Sequence, residues 1–340
     1  MSTSRIHSRL TLVGSLVAIA LLSSQAFARQ SNVERVVTFG ASLSDTGNAF
    51  TLLSQPENQS CWTQLNVPPY DELDDLLTPG APYARGGHHF TNGATWIEGL
   101  ARYLALAGNA RPALQNPGLK ANNYAVGGAR AVADYPCRFN LPAQVSAYLA
   151  DFPATSDRAL VAIEIGGNDV RDALVAALQA QNPQAATPYI QNALGSLADS
   201  VTQLHFHGAR QFLLLNVPDV GKTPAVRILD QSYQANGQIV GLARYLSQAY
   251  NSGLAGVVQG LNALPGIDVR VLDAYAILDA VVADPATYGF LNATEACVTP
   301  NQPPFTCTKP DTYAFWDGIH PTKALHDLVA QQAIELIAEP

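Results

Sequence analysis

Two stretches, ALVAIEI at 159–165 and QFLLL at 211–215, are near-continuous apolar runs that end in turns, the first at Gly166-Gly167. Runs of this length and evenness suit strands buried on both faces, as in a parallel sheet covered by helices. Three more segments fit the same pattern: VVTFG at 36–40, NNYAVGG at 122–128 and IDVRVLDAY at 267–275. Between them the apolar residues follow helical spacing. Trp96, Ile97, Leu100, Tyr103 and Leu104 share a face, as do Leu194, Leu197, Val201 and Leu204 before a stop at Gly208. A last helix is expected from Pro321, stacking Leu325, Leu328, Val329 and Ile334. Strands alternating with helices predict an α/β fold with a mostly parallel five-stranded sheet in a three-layer α/β/α sandwich. A hydrophobic content of 48% is ample for its core.

The first 28 residues stand apart from this pattern. Arg5 and Arg9 precede an apolar run from Leu10 to Leu22, followed by small residues ending at Ala28. That is the layout of a cleavable secretory signal, and the run is shorter than the ~20 apolar residues a membrane span needs. The expected mature chain is 29–340, a single domain, exported and without stable membrane insertion. Loss of Arg5 and Arg9, with no acid, moves the formal charge from −8 to −10. An acidic chain with no Lys/Arg cluster offers no electrostatic footprint for nucleic acid. Four cysteines in an oxidising compartment predict two disulfides, with Cys297–Cys307 and Cys61–Cys137 the favoured pairing of the three possible. Two Pro- and Gly-rich segments, about 50–92 and 283–313, interrupt the alternation as insertions that could act as lids or binding loops. NQS at 58–60 and NAT at 292–294 are glycosylation sequons.

Ligands of parallel α/β sheets bind beyond the carboxyl ends of the strands. There the chain places Ser42 after the first run and Gly127-Gly128-Ala129 after the second. Gly166-Gly167-Asn168-Asp169 follows the third, and Asp317 and His320 stand just before the last helix. These are the parts for acyl transfer. A serine hydroxyl needs an adjacent base, a histidine needs an acid to fix its tautomer, and an oxyanion needs preset donors. The backbone N–H groups of Ser42 and Gly128 and the Asn168 amide are the candidate donors. Glycine at 128 suits close backbone approach.

FGASLSDTGN, NYAVGGA, IGGND and DGIHP resemble, in order, the four blocks of the SGNH (GDSL-type) hydrolases. The likeness is greatest to the secreted esterase, lipase and lysophospholipase branch, to which VPDVGKTPA at 217–225 is also similar. The resemblance runs from about residue 35 to 335 and implies a flavodoxin-like three-layer sandwich. It also implies Ser42 as nucleophile and oxyanion donor, Gly128 and Asn168 completing the oxyanion hole, and Asp317 and His320 completing the triad. The implied activity is carboxylic ester hydrolysis on a small-molecule or lipid ester, with no cofactor or metal, by a monomer. Two departures stand out. Ala41 occupies the position where the family usually has aspartate, and GGHHFTNG replaces a common GRFSNG. Acyl transfer to an alcohol, carbohydrate deacetylation and an inactive binding protein are the alternatives.

Other candidates read as structural. Asp45 and Asn48 are expected to hold the turn, His205 and His207 to lie on solvated surface, and His326 on the exposed side of the last helix. His88 and His89 are candidates for the entrance. VGKT at 220–223 lacks the glycine a phosphate loop requires, since Asn216 stands five positions before Gly221, and no G-x-S-x-G elbow is present.

Overall fold

The computed structural model describes residues 33–53, 89–115, 121–133, 139–298 and 306–339. The expected leader at 1–28, most of the 50–92 segment, His88, the first sequon, Cys61 and Cys137 lie outside the described residues. Four parallel strands form the sheet in the order β1 (Arg35–Gly40), β2 (Ala159–Glu164), β3 (Gln211–Leu215) and β4 (Asp268–Leu272). The fifth expected strand, at 122–126, lies alongside β1. Thr38 N donates to Asn122 O at 2.8 Å, Tyr124 N to Thr38 O at 2.8 Å and Val126 N to Gly40 O at 3.0 Å. Its pairing is that of an isolated parallel bridge rather than a continuous ladder. The ladder stops at Gly40, whose N–H donates to Gln144 Oε1 at 2.8 Å instead of to this segment, while Asn123 carries Ala113 N and sends its side-chain amide to Ser44 O and Thr46 Oγ1.

The two faces of the sheet take alternate residues, as the strand period requires. Val37, Phe39, Val161, Ile163, Phe212 and Leu214 point into the larger core. Helices α3 (Leu141–Asp151), α4 (Gly167–Gln179), α5 (Thr187–Phe206), α6 (Pro224–Ser232) and α7 (Gln238–Leu261) cover that side. Val36, Leu160, Ala162, Leu213 and Leu215 point the other way, under α2 (Trp96–Tyr103), α8 (Ala274–Ala283) and α9 (Lys323–Ala338). A short helix, α1 (Asn48–Leu53), follows the first strand's turn. The result is the expected three-layer sandwich. Tyr103, expected on the inner face of α2, is 40% exposed, because the helix ends there and Leu100 and Ala101 take the buried positions. The last helix begins at Lys323 rather than Pro321, with Thr322 Oγ1 accepting from Leu325 N as its cap.

The segment at 283–313 is not wholly irregular. It contributes β5 (Asn292–Ala296), which pairs in parallel with β6 (Tyr313–Phe315), just before the last turn. Cys297 and Cys307 are bonded there, their Cα atoms 5.5 Å apart. Among the described residues, no helix is long and apolar enough to cross a membrane.

Candidate active site

Ser42 sits in the turn that leaves β1, half-buried, and its Oγ lies 2.9 Å from His320 Nε2. His320 Nδ1 is 2.7 Å from Asp317 Oδ2 on the far side of the ring. An ionised carboxylate only accepts, so Nδ1 carries the proton and Nε2 presents its lone pair to the serine hydroxyl. Asp317 is itself held, its Oδ1 accepting from Ile319 N at 2.8 Å and His320 N at 2.7 Å. Both Asp317 and His320 are buried, and the Phe90 ring packs 5.3 Å from the imidazole. Residues separated by 278 positions in the chain therefore meet in one hydrogen-bonded row.

Asp45 fastens the serine turn to the glycine turn. Its Oδ1 accepts from Gly47 N and Asn48 N, each at 2.7 Å, and its Oδ2 from Gly127 N at 2.7 Å and Ala49 N at 3.0 Å. Burial raises this carboxyl above its ordinary range while those four N–H donors pull it back down. Asn48 donates to Asn123 O and Ala125 O and accepts from Leu114 N, so both residues hold structure as expected. A side chain at Gly127 would meet the Phe90 ring at 2.3 Å, so only glycine lets the turn pass beside the aromatic that covers His320. Gly128 follows at φ +78°.

Asn168, in the first turn of α4, donates from Nδ2 to Ala129 O at 2.8 Å, which aligns it with the glycine turn and leaves a second N–H on the same amide. The helix begins after Gly166, at φ +112°, where a side chain would strike Tyr250 at 2.4 Å. Beneath this corner Arg130 is 1% exposed. It donates to Gly128 O at 2.6 Å and makes a bidentate pair with Asp172 at 2.6 and 2.7 Å. Both oxygens of Asp169 accept from Ala131 N, each at 3.1 Å, and burial raises the Asp169 carboxyl to about 7.

A cleft lined by Ser42, Asn168, Arg171 and His320 opens over these residues. A second, apolar chamber adjoins it, sharing Leu43, Leu215, Pro218 and Ile319, and continues between α8 and α9 past Ile277.

A family model described as GDSL-like Lipase/Acylhydrolase matches residues 36–333. The chain belongs to that family. It is a carboxylic ester hydrolase by that membership. Among its relatives, the thermolabile hemolysin of Vibrio parahaemolyticus is 25% identical over 92% of this chain and 66% of the hemolysin. A GDSL esterase/lipase of Arabidopsis thaliana (At2g23540) is 28% identical over 87% of this chain and 82% of the relative. The chain thus spans just under two thirds of the hemolysin's length. An acetylxylan esterase from Geobacillus stearothermophilus, in the structure of a catalytic mutant, is 15% identical, with a TM-score of 0.44 over 89% of this chain and 94% of that one.

In this GDSL chain the structure brings Ser42, Gly128, Asn168, Asp317 and His320 to one end of the sheet. Three histidines differ from expectation. His326 is 1% exposed rather than facing solvent. Its Nδ1 accepts from Trp96 N at 3.2 Å, and burial, with His320 and His89 nearby, pushes it down to about 3. His89 does not stand at the entrance; it is buried and its Nε2 lies 3.0 Å from Glu98 Oε2, which also caps α2 through Thr95 N. His205 is buried against Ala209 O, whereas His207 is exposed as expected. His326 is buried against Trp96, 230 positions away, so local spacing carried no sign of it; the partners of His89 and His205 lie nine and four residues away. Among the described residues, no cluster of three or more His, Cys, Asp or Glu could hold a metal ion.

Two residues of the site escaped the sequence reading. Arg130 follows the glycine turn directly, and Glu164 is the one charged residue inside an otherwise apolar strand. Each had a signal: a charge placed where burial makes it costly. Glu164 also bears on the Ala41 departure, because its carboxyl reaches Ala41 N from β2 at 3.3 Å.

Proposed function

We propose that this chain is an exported serine esterase, released after Ala28, that cleaves carboxylic esters through an acyl-enzyme. The ester carbonyl sits over Ser42 with its oxygen toward the Ser42 and Gly128 backbone N–H groups and the Asn168 amide. Ser42 Oγ attacks the carbonyl carbon while its proton passes to His320 Nε2. Asp317 stabilises the imidazolium through Nδ1. Collapse of the tetrahedral intermediate breaks the carbon–oxygen bond, and His320 returns the proton to the leaving alcohol. A water then repeats the sequence, giving up its proton to His320, and releases the carboxylic acid and free Ser42. Each oxyanion donor is worth about 2.7–4 kcal/mol of barrier in such sites.

The observation that carries this reading is the row Asp317–His320–Ser42, with contacts of 2.7 and 2.9 Å that put the imidazole between the carboxylate and the hydroxyl it would deprotonate. The apolar chamber beside it supports an ester with one hydrocarbon arm of more than a few carbons. The test is hydrolysis of p-nitrophenyl esters from acetate to palmitate by the mature chain and by Ser42→Ala, together with labelling by a fluorophosphonate probe. Turnover and labelling that both vanish in Ser42→Ala are expected. Folded wild-type protein that neither turns over any ester nor takes the probe would reject the reading in favour of a binding protein.

A further inference from the structure

Glu164 ends β2 in register with Gly40, the residue that ends β1. It is 7% exposed and lines the same cleft as Ser42, Asn168 and His320, yet no step of ester cleavage uses it. Ala41 N donates both to the Glu164 main-chain oxygen, at 3.0 Å, and to its Oε2, at 3.3 Å. Ser44 stands close enough to the same carboxyl, on the other side of the turn, to pull it down. Ser44 Oγ accepts from Trp96 Nε1 at 2.9 Å, which leaves its own proton for Glu164. One carboxyl therefore touches the turn immediately before Ser42 and two residues after it. Through Ser44 it also ties that turn to α2.

We propose that Glu164 is a positioning residue for the nucleophile, its carboxyl entering from the end of β2 to set the Ser42 turn at Ala41 and Ser44. The inference rests on Ser42 being the attacking group. The requirement is geometric, since a misplacement of about 1 Å at a reacting atom can cost about 100-fold in rate.

The charge state of this carboxyl separates positioning from mere filling of space. Burial raises Glu164 to about 8, against the two hydrogen bonds that favour its ionised form. Burial raises the hydroxyl of Tyr250 of α7, and Asp169 of α4 and Glu164 raise it further. Arg171 of α4 and His320 line the cleft beside it. Asp45, in the same turn, directs its oxygens to Gly47, Asn48, Ala49 and Gly127. A neutral Glu164 leaves the oxyanion's surroundings free of added negative charge. An ionised one places a like charge in the same cleft, which opposes the oxyanion.

The experiment measures kcat and KM for p-nitrophenyl butyrate from pH 5.5 to 9.5 with wild type, Glu164→Gln, Glu164→Ala and Ser42→Ala, each with its thermal midpoint. In wild type, kcat should fall on the alkaline side with a midpoint near 8. Glu164→Gln keeps the shape without the titration, so it should hold kcat at pH 7 within about threefold and lose that alkaline fall. Glu164→Ala should lower kcat by about 10- to 100-fold with KM nearly unchanged. Wild-type kcat in folded Glu164→Ala, or an unchanged alkaline fall in Glu164→Gln, would overturn the inference. If Glu164→Ala does not fold, the Gln profile alone decides. Full turnover in Ser42→Ala would instead overturn the nucleophile assignment, a separate and recognisable failure.

Discussion

Replacing Asp317 by asparagine reverses the polarity of one hydrogen bond and leaves almost everything else in place. The direction of the effect follows from the bonds of the native side chain. Its Oδ1 accepts two backbone N–H groups, from Ile319 and His320, and its Oδ2 accepts His320 Nδ1–H. An asparagine must keep its carbonyl oxygen on the two backbone donors, because the amide nitrogen cannot accept them. The NH2 group then faces His320 Nδ1, which can meet it only by giving up its proton. The proton moves to Nε2, and Nε2–H cannot take a proton from Ser42 Oγ. A wrong-tautomer substitution of this kind costs a serine triad about 10⁴ in kcat, equivalent to about 5.4 kcal/mol of barrier. The assay is the saturating rate on a p-nitrophenyl ester, with near-ultraviolet circular dichroism to show that the fold is kept. A loss of less than about tenfold in folded protein would refute the tautomer argument, which requires a loss of about 10⁴.

Four further outcomes are expected. Glu164 and Asp169 are raised to about 8 and about 7 in the folded chain, so they bind protons more tightly folded than unfolded. Their contribution is therefore fullest below about pH 4 and is lost as pH rises to about 8, on the order of a few kcal/mol each; urea unfolding across that range should show the slope, reduced in Glu164→Gln. Ile277→Trp should fill the apolar chamber, lowering kcat/KM for octanoate relative to acetate by about tenfold, as losing about two CH2 groups at about 0.8 kcal/mol each implies; an unchanged chain-length profile would place the hydrocarbon arm elsewhere. Gly166→Ala combines φ +112° with a 2.4 Å approach to Tyr250, so it should cost about 1–3 kcal/mol, measured as a drop in thermal midpoint. Reduction of Cys297–Cys307, which closes a loop over a sequence separation of 10, should cost about 2–3 kcal/mol in urea unfolding.

Much of this protein is legible in its sequence because the signals are periodic and local. Apolar runs such as ALVAI and QFLLL can only be buried on both faces, and helical spacing between them requires parallel crossovers. The positions of Ser42, Gly128, Asn168, Asp317 and His320 follow from the same logic, since each stands just beyond a strand or before the last helix, at the edge where such sheets bind ligands. The fifth strand was legible as an apolar run but not as a broken ladder, because that depends on Gln144, 104 positions away, taking the Gly40 N–H.

What the sequence determined by itself was the layered architecture and the candidates for the reacting groups, both set by patterns that a strand or a motif carries within itself. What only the tertiary structure decided was the surroundings of those groups: the meeting of His320 with Ser42, the burial of His89 and His326, and the carboxyl of Glu164 reaching the turn before Ser42. Protonation and orientation depend on which donors and how little water surround a group, and for Ser42, the Glu164 carboxyl and His326 those neighbours come from segments more than a hundred residues apart, brought together only when the sheet and its two helical layers close.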